Sequence, residues 1–248
     1  MSGPSPVAGA AAWHDVECSS YDADLGLWRE LAADRGGPIL DLGAGTGRVA
    51  LDLAARCHEV TAVDIDPDLV AACGRRARER SLPVTAIAAD VRSLELDVPH
   101  PLAILPMQVA QLMGSDEGRR QMLQALLDVL SPGGLVAIAL ADPFEGIPPA
   151  DVLPPLPDVL EVDGWVLSST PVAVRALDGV VAIDRTRTSV SPAGELTEVP
   201  ATIMLDDVDP RDLECQGAEA GYTLLPARAV PETRDYVGST VVMLEAPR

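Results

Sequence analysis

Ile39-Leu40-Asp41-Leu42-Gly43-Ala44-Gly45-Thr46-Gly47 is the stretch on which the reading of this chain turns. Pro38 to Leu42 reads as a short buried strand, and Gly47 to Arg56 as a helix. Between them stand three glycines at alternate positions. Glycine lets the backbone take dihedrals closed to other residues and come close to a ligand. The helix that follows offers free N–H groups and a partial positive charge at its start. A strand, a glycine turn and a helix therefore make a ligand-binding corner. Spacing decides which ligand. Dinucleotide binders carry G-x-G-x-x-G/A, but the position five after Gly43 is Arg48, and the third glycine comes one residue early. No G-K-[ST] follows, so the corner is not a P-loop either.

Outward from this corner, apolar runs alternate with helical patterns from about residue 22 to 141. That rhythm predicts βαβ units and a parallel sheet. Helices are expected over 22–34, 47–56, 67–80 and 119–130, with Pro67 favourable at a first helical position. Strands are expected over 38–42, 60–64, 84–88, 102–106 and 135–141, with Ser131-Pro132-Gly133-Gly134 stopping the helix before the last. Residues 144–160 are rich in proline and read as a loop. From Trp165 to Asp206 the period becomes two, broken at Asp178-Gly179 and at Ser191-Pro192-Ala193-Gly194, which are hairpin signals. Three antiparallel strands follow from this: 165–175, 180–190 and 195–206. A helix over 209–221 and strands over 222–228 and 237–244 close the chain.

Four landmarks in this order carry a family resemblance. Asp41-x-Gly43-x-Gly45-x-Gly47 resembles motif I of the class I, Rossmann-like S-adenosylmethionine-dependent methyltransferases. The resemblance implies that Asp41, Gly43, Ala44, Gly45 and Gly47 wrap the methionine and ribose parts of the cofactor. Asp64 ends the next strand, where the family's carboxylate takes both ribose hydroxyls, and Ile65 beside it would pack on adenine. Ala89-Asp90-Val91 is similar to the adenine clamp: Asp90 accepts from the exocyclic amine, and the Val91 N–H meets a ring nitrogen. Pro106, with Met107 and Gln108, ends the fourth strand, where the family places the methyl group and its acceptor. Tyr21 precedes the first helix, a point from which a tyrosine often reaches the cofactor. The implied fold is α/β, a seven-stranded mostly parallel doubly wound sheet with a three-stranded antiparallel insertion after the fifth strand. Residues 1–20 are expected to be a flexible tail and 21–248 the methyltransferase domain. Residues 152–206 within it are expected to roof the substrate or to pair across a homodimer, as exposed edges can.

Methyl transfer from a sulfonium is an in-line displacement, so holding the acceptor close and aligned is the main task of the site. No obvious base stands out. Candidates on the acceptor side are Tyr21, His14 as a base folded over the site, and Met107, Gln108 and Gln111 after the fourth strand. Arg185 and Arg187, two apart on one strand face, could grip a carboxylate or phosphate. As solvated charges they need no such role. Gln108 and Gln111 could equally bond backbone at a strand end.

Composition narrows the partners. The 248 residues carry a formal net charge of −20 and no lysine. A nucleic acid needs a basic patch, so nucleic acids are excluded as partners, and acidic lipid surfaces are disfavoured. No apolar run approaches the roughly 18 residues that span a bilayer, and Met1 to Ala12 does not read as a signal peptide, which makes the cytoplasm the expected compartment. Cys18, Cys57, Cys73 and Cys215 form no C-x-x-C pair, and the three histidines lie in separate regions, so no metal is expected. The reading is a methyltransferase acting on a small molecule, with S-adenosylmethionine as cofactor and S-adenosylhomocysteine as product. Two alternatives keep the fold: other sulfonium chemistry, and non-catalytic binding. A nicotinamide-dependent dehydrogenase is the weakest, since Tyr-x-x-x-Lys is impossible without lysine.

Overall fold

A computed structural model describes residues 9–141 and 156–248. Residues 1–8 of the expected tail and 144–155 of the proline-rich loop lie outside that range. The described elements in chain order are α1 (Ala10–Cys18), α2 (Leu25–Arg35), β1 (Ile39–Leu42), α3 (Arg48–Ala54), β2 (Val60–Asp64), α4 (Pro67–Glu79), β3 (Val84–Ala88), β4 (His100–Leu105), α5 (Asp116–Val129) and β5 (Leu130–Ala141). Then come β6 (Asp158–Val162), β7 (Trp165–Leu177), β8 (Val180–Val190), β9 (Leu196–Asp206), α6 (Pro210–Ala220), β10 (Thr223–Val230) and β11 (Ser239–Glu245).

Among the described residues the strands form two sheets, a seven-stranded one in the order β10-β11-β5-β4-β1-β2-β3 and a four-stranded one in the order β6-β7-β8-β9. In the large sheet β1 pairs in parallel with β2 and β4, while β11 runs antiparallel to both β5 and β10. The four residues of β1 are all buried, which is why they read as a continuous apolar run around Asp41 rather than an alternating one. Strand period two splits them between two cores. Ile39, Leu102 and Ile104 face α2 and α3, with Trp28, Leu31, Val49 and Leu53. Leu40, Leu42, Ala103 and Leu105 face α5 with Met122, Leu123 and Leu126. Each fully buried large side chain here is worth roughly 1.5–3 kcal/mol.

Helix starts follow local chemistry. Asp66 caps α4 by accepting from the N–H of Asp68 and Leu69, with Pro67 at the first position. Ser115 accepts from Gly118 at α5, and Asp209 from Arg211 at α6, where Gly221 closes the other end with φ 102°. Such caps contribute about 0.5–2 kcal/mol each.

Three features differ from the sequence reading. Residues 10–18, expected to be part of a loose tail, are helix α1, which packs on α4, β6 and β7. The insertion has four strands rather than three, because β6 adds to β7 across a turn at Asp163-Gly164. The Ser131–Gly134 turn does not separate α5 from β5. Leu130 already pairs with His100, and Leu135 with Leu102, so the four residues between loop out of the ladder.

Candidate active site

β1 and β4 lie side by side with their crossovers leaving in opposite directions, so the sheet opens a crevice beyond their C-terminal ends, the usual place for a ligand in such folds. The glycine corner fills that edge. Gly43, Gly45 and Gly47 have φ of 65°, 56° and 94°. At Gly43 a Cβ would overlap the Val109 side chain, so only glycine lets the turn after β4 close on the loop. Gly45 N–H donates to Asp64 Oδ2 at 2.8 Å, and Asp66 N–H to Asp64 Oδ1 at 2.9 Å. Asp64 thus ties the loop of β1 to the end of β2.

Asp41 lies at the base of the crevice, fully buried, and neither carboxylate oxygen has a hydrogen-bond partner. Burial pushes its carboxyl up to about 7, against the pull of Arg48 and of the Ala50 backbone N–H nearby. A buried acceptor without a donor costs about 1–3 kcal/mol, more when charged. A cationic group entering beside it would relieve that cost.

A cavity of about 380 Å³ opens over this floor. It is bordered by Asp41, Gly43 and Ala44 from the corner, by Pro106, Met107 and Gln108 after β4, and by Trp13, His14 and Glu17 from α1, with Arg187 from β8. Met107 holds φ at +60°, rare for a residue with a side chain, and such strain clusters at functional sites. A second cavity of about 90 Å³ shares Met107 and Gln108 and adds Tyr21, Tyr236 and Ser239. Tyr21 is buried, with its ring 5.1 Å from that of Tyr236 at 59°. Arg48 lies 5.0 Å from the Tyr21 ring centre, donates to the Tyr21 carbonyl at 2.9 Å, and grips Asp24 with two bonds of 2.6 and 2.7 Å.

The remaining sequence candidates are placed as follows. Asp64 and Asp90 stand at and just beyond the ends of neighbouring strands β2 and β3, with Ile65 exposed between β2 and α4 and Val91 buried. Asp90 accepts from the Arg92 backbone N–H and pairs with its guanidinium, which, against a small burial penalty, holds its carboxyl below the ordinary value. Gln111 does not face a substrate: its Nε2 donates to the Ala141 carbonyl at 2.9 Å, and its Oε1 accepts from the Ala141 N–H at 3.1 Å. Arg185 is likewise committed, to Asp158 and Ser169. Arg187 reaches the cavity wall, but Glu17 holds it with two 2.8 Å bonds, and it stacks 5.4 Å from the Trp13 ring centre. The expected anion grip is therefore absent from both arginines. Burial opposes ionisation of Glu17, yet hydrogen bonds from Arg187 and Ser169 keep its carboxyl below its ordinary range.

Trp13, Glu17 and Tyr236 had no signal in the sequence. Each reaches the site through contacts with chain more than 150 residues away.

Residues 39–134 match the family described as "Methyltransferase domain". The chain is 32% identical over 112 residues to a probable cobalt-precorrin-6B C(15)-methyltransferase (decarboxylating) of Methanothermobacter thermautotrophicus, covering 44% of this chain and 56% of that protein. It is 36% identical over 135 residues to a demethylmenaquinone methyltransferase of Thermus thermophilus, covering 51% and 60%. This chain thus spans less than two thirds of the length of either relative. Among solved structures, a sugar N-methyltransferase from Streptoalloteichus superposes with a TM-score of 0.73 at 18% identity, over 100% of this chain and 99% of that one. Residues 39–134 thus match a methyltransferase domain, and the fold is the Rossmann-like one of that solved methyltransferase; S-adenosylmethionine is the cofactor of the class I methyltransferases that the sequence resembles.

The residues present fit that cofactor. It carries two cationic centres, an ammonium and a sulfonium. The unpartnered Asp41 carboxylate supplies a counter-charge at the cavity floor. Gly43 and Gly45 let Val109 and the His14 ring close on the corner, and Asp64 offers acceptor oxygens at the neighbouring strand end. Among the described residues no group of three His, Cys, Asp or Glu stands together as metal ligands. No helix of the described residues is long and apolar enough to cross a membrane.

Proposed function

We propose that this protein transfers a methyl group from S-adenosylmethionine to a nitrogen or oxygen of a small-molecule acceptor. The observation that carries the reading is the unpartnered Asp41 carboxylate under the glycine corner, facing a cavity that continues to Pro106, Met107 and Gln108. When bound, the cofactor supplies an electrophilic methyl group on a sulfonium that leaves readily. The chain's part is to hold and to exclude water. Asp41, Gly43, Ala44, Gly45, Gly47, Asp64, Ile65, Asp90, Val91 and Pro106 hold the cofactor. Met107, Gln108 and Tyr21 border the acceptor side. Alignment of two partners in such a site is worth about 7–11 kcal/mol of barrier.

An acceptor of modest size suits the second cavity of about 90 Å³, which admits one functional group rather than a whole polymer. The net charge of −20 disfavours nucleic acid, and the structural neighbour from Streptoalloteichus is named a sugar N-methyltransferase. The antiparallel sheet supports a second role as a pairing surface between copies: β9 is an edge strand with Leu196 and Val199 exposed. Light scattering of the purified chain tests that pairing. A cytoplasmic location accords with the same features.

Calorimetric titration with S-adenosylhomocysteine tests the cofactor reading, with binding expected in the micromolar range, about −8 kcal/mol. A folded sample with no binding sinks it. Release of S-adenosylhomocysteine from S-adenosylmethionine across a panel of amines and alcohols then separates methyl transfer from other sulfonium chemistry. Asp64→Ala is expected to weaken cofactor binding by at least about 1 kcal/mol. Unchanged affinity counts against the ribose assignment.

A further inference from the structure

His14 stands on α1 where that helix meets the glycine corner. A Cβ built on Gly45 would overlap its imidazole at Nε2, and the same ring borders the large cavity. Its other nitrogen is fixed by a chain of contacts. Thr46 Oγ1 donates its only proton to Asp15 Oδ1 at 2.7 Å, since an ionised carboxylate can only accept. The Thr46 oxygen is then an acceptor for His14 Nδ1–H at 3.2 Å. Asp15 is held in turn by the Arg76 guanidinium of α4, which also donates to the Thr46 carbonyl at 3.3 Å. A neutral imidazole has one N–H, and here it is spent at Nδ1. Nε2 is left as a bare lone pair against Gly45.

Gly45 is also the residue whose N–H is bonded to Asp64 Oδ2. Nε2 and the Asp64 carboxylate therefore flank one residue, and both are acceptors. Each Asp64 oxygen already receives a backbone N–H, from Gly45 or from Asp66. A vicinal diol offers two donors, more than those partly used oxygens take best alone. Resting on the cofactor reading above, we infer that His14 is a cofactor-binding residue, its Nε2 accepting a hydrogen bond from a ribose hydroxyl beside Asp64.

The charges around this ring come from every neighbouring element: Asp15 and Glu17 on α1, Asp41 on β1, Arg48 on α3, Asp64 on β2 and Arg76 on α4. Burial is the largest influence. With Arg48 and Arg76 it outweighs the pull of Asp15 and Asp64 and holds His14 below its ordinary 6.5. The lone pair is thus available at neutral pH. Acidification through the His14 range converts Nε2 into a donor and removes the acceptor.

Calorimetry on the full chain, with S-adenosylhomocysteine and with 5′-methylthioadenosine as probes, tests the assignment. The second probe keeps the ribose and lacks the amino-acid end. Near pH 8, His14→Ala is expected to bind both probes about tenfold more weakly, while His14→Gln, which keeps an acceptor, stays within about threefold. Between about pH 8 and pH 5, wild type is expected to lose several-fold more affinity than His14→Gln, whose profile carries the Asp41 titration alone. Three results overturn the inference: unchanged affinity in His14→Ala, a loss seen with S-adenosylhomocysteine but not with 5′-methylthioadenosine, or parallel pH profiles for wild type and His14→Gln. If wild type binds neither probe, the cofactor reading fails first, an outcome distinct from these. His14→Gln keeps the test decisive should the alanine variant loosen α1.

Discussion

Asp41 shows what a single side chain contributes that spacing alone does not. Its position in β1 follows from the glycine corner, but its burial without a side-chain partner exists only in the packed sheet, between Ala62 and Ile104. Burial raises its carboxyl from 3.8 to about 7. A folded value above the unfolded one means that the fold favours the protonated form. The associated stability is full below about pH 4 and is lost as pH rises through about 7. About three pH units at about 1.4 kcal/mol each come to roughly 4 kcal/mol. Asp41→Asn is therefore expected to unfold at a higher temperature than wild type at pH 8, by a free energy of that order, with little difference at pH 4. Cofactor affinity should fall in the same variant, because the counter-charge is gone. Calorimetric melting at the two pH values decides it, and equal melting at pH 8 refutes the account. Arg48 makes a related point. In the sequence it only breaks a fingerprint, while in the structure it joins Asp24 and Tyr21 to the corner. Its partner lies 24 residues away, beyond any local pattern.

At the level of elements, legibility depended on whether an element carries its own pattern. α4, β2 and β3 read directly, because Pro67 marks the helix start and the apolar runs match the largely buried β2 and the half-buried edge strand β3. α1 did not, since its nine residues are alanine-rich, lack a side-chain cap, and are held by Glu17, Asp15 and Trp13 reaching other elements. Helices this short are marginal without such packing. β6 is a different case. Asp163-Gly164 is the same hairpin signal as Asp178-Gly179, and both its residues have positive φ, 50° and 76°, as a type I′ turn requires. The proline-rich sequence just before it masked a five-residue strand. Gln111 belongs to this scale too, because it fixes the end of β5 rather than an acceptor. Gln111→Ala leaves the Ala141 N–H and carbonyl without their side-chain partner in a buried position. A loss of about 2–3 kcal/mol is expected, read as a lower urea midpoint with an unchanged slope. A midpoint equal to that of wild type would show that the backbone finds other partners.

For the whole molecule the controlling quantity is charge. Thirty-eight acids face eighteen bases, an excess of twenty negative charges. The ion pairs that do form divide by burial. Arg48–Asp24 and Arg119–Asp206 are nearly enclosed, whereas Arg120–Glu219, Arg228–Glu30 and Arg175–Asp184 lie largely in solvent. Exposed pairs are worth about 0–1 kcal/mol and are screened by salt. Enclosed ones are screened far less. Added salt therefore acts mainly on two exposed terms of opposite sign: weak attractive pairs and the self-repulsion of the excess acids. With an excess of twenty, repulsion is the larger. Raising sodium chloride from about 0.01 M to about 0.1 M shortens the screening length from about 30 Å to about 10 Å, less than the span of the large sheet. The protein is expected to gain on the order of 1 kcal/mol, a rise in melting temperature of about 2–4 °C. Circular dichroism melts across that salt range measure it. A fall in melting temperature would mean that the surface pairs, not the unpaired acids, set the balance.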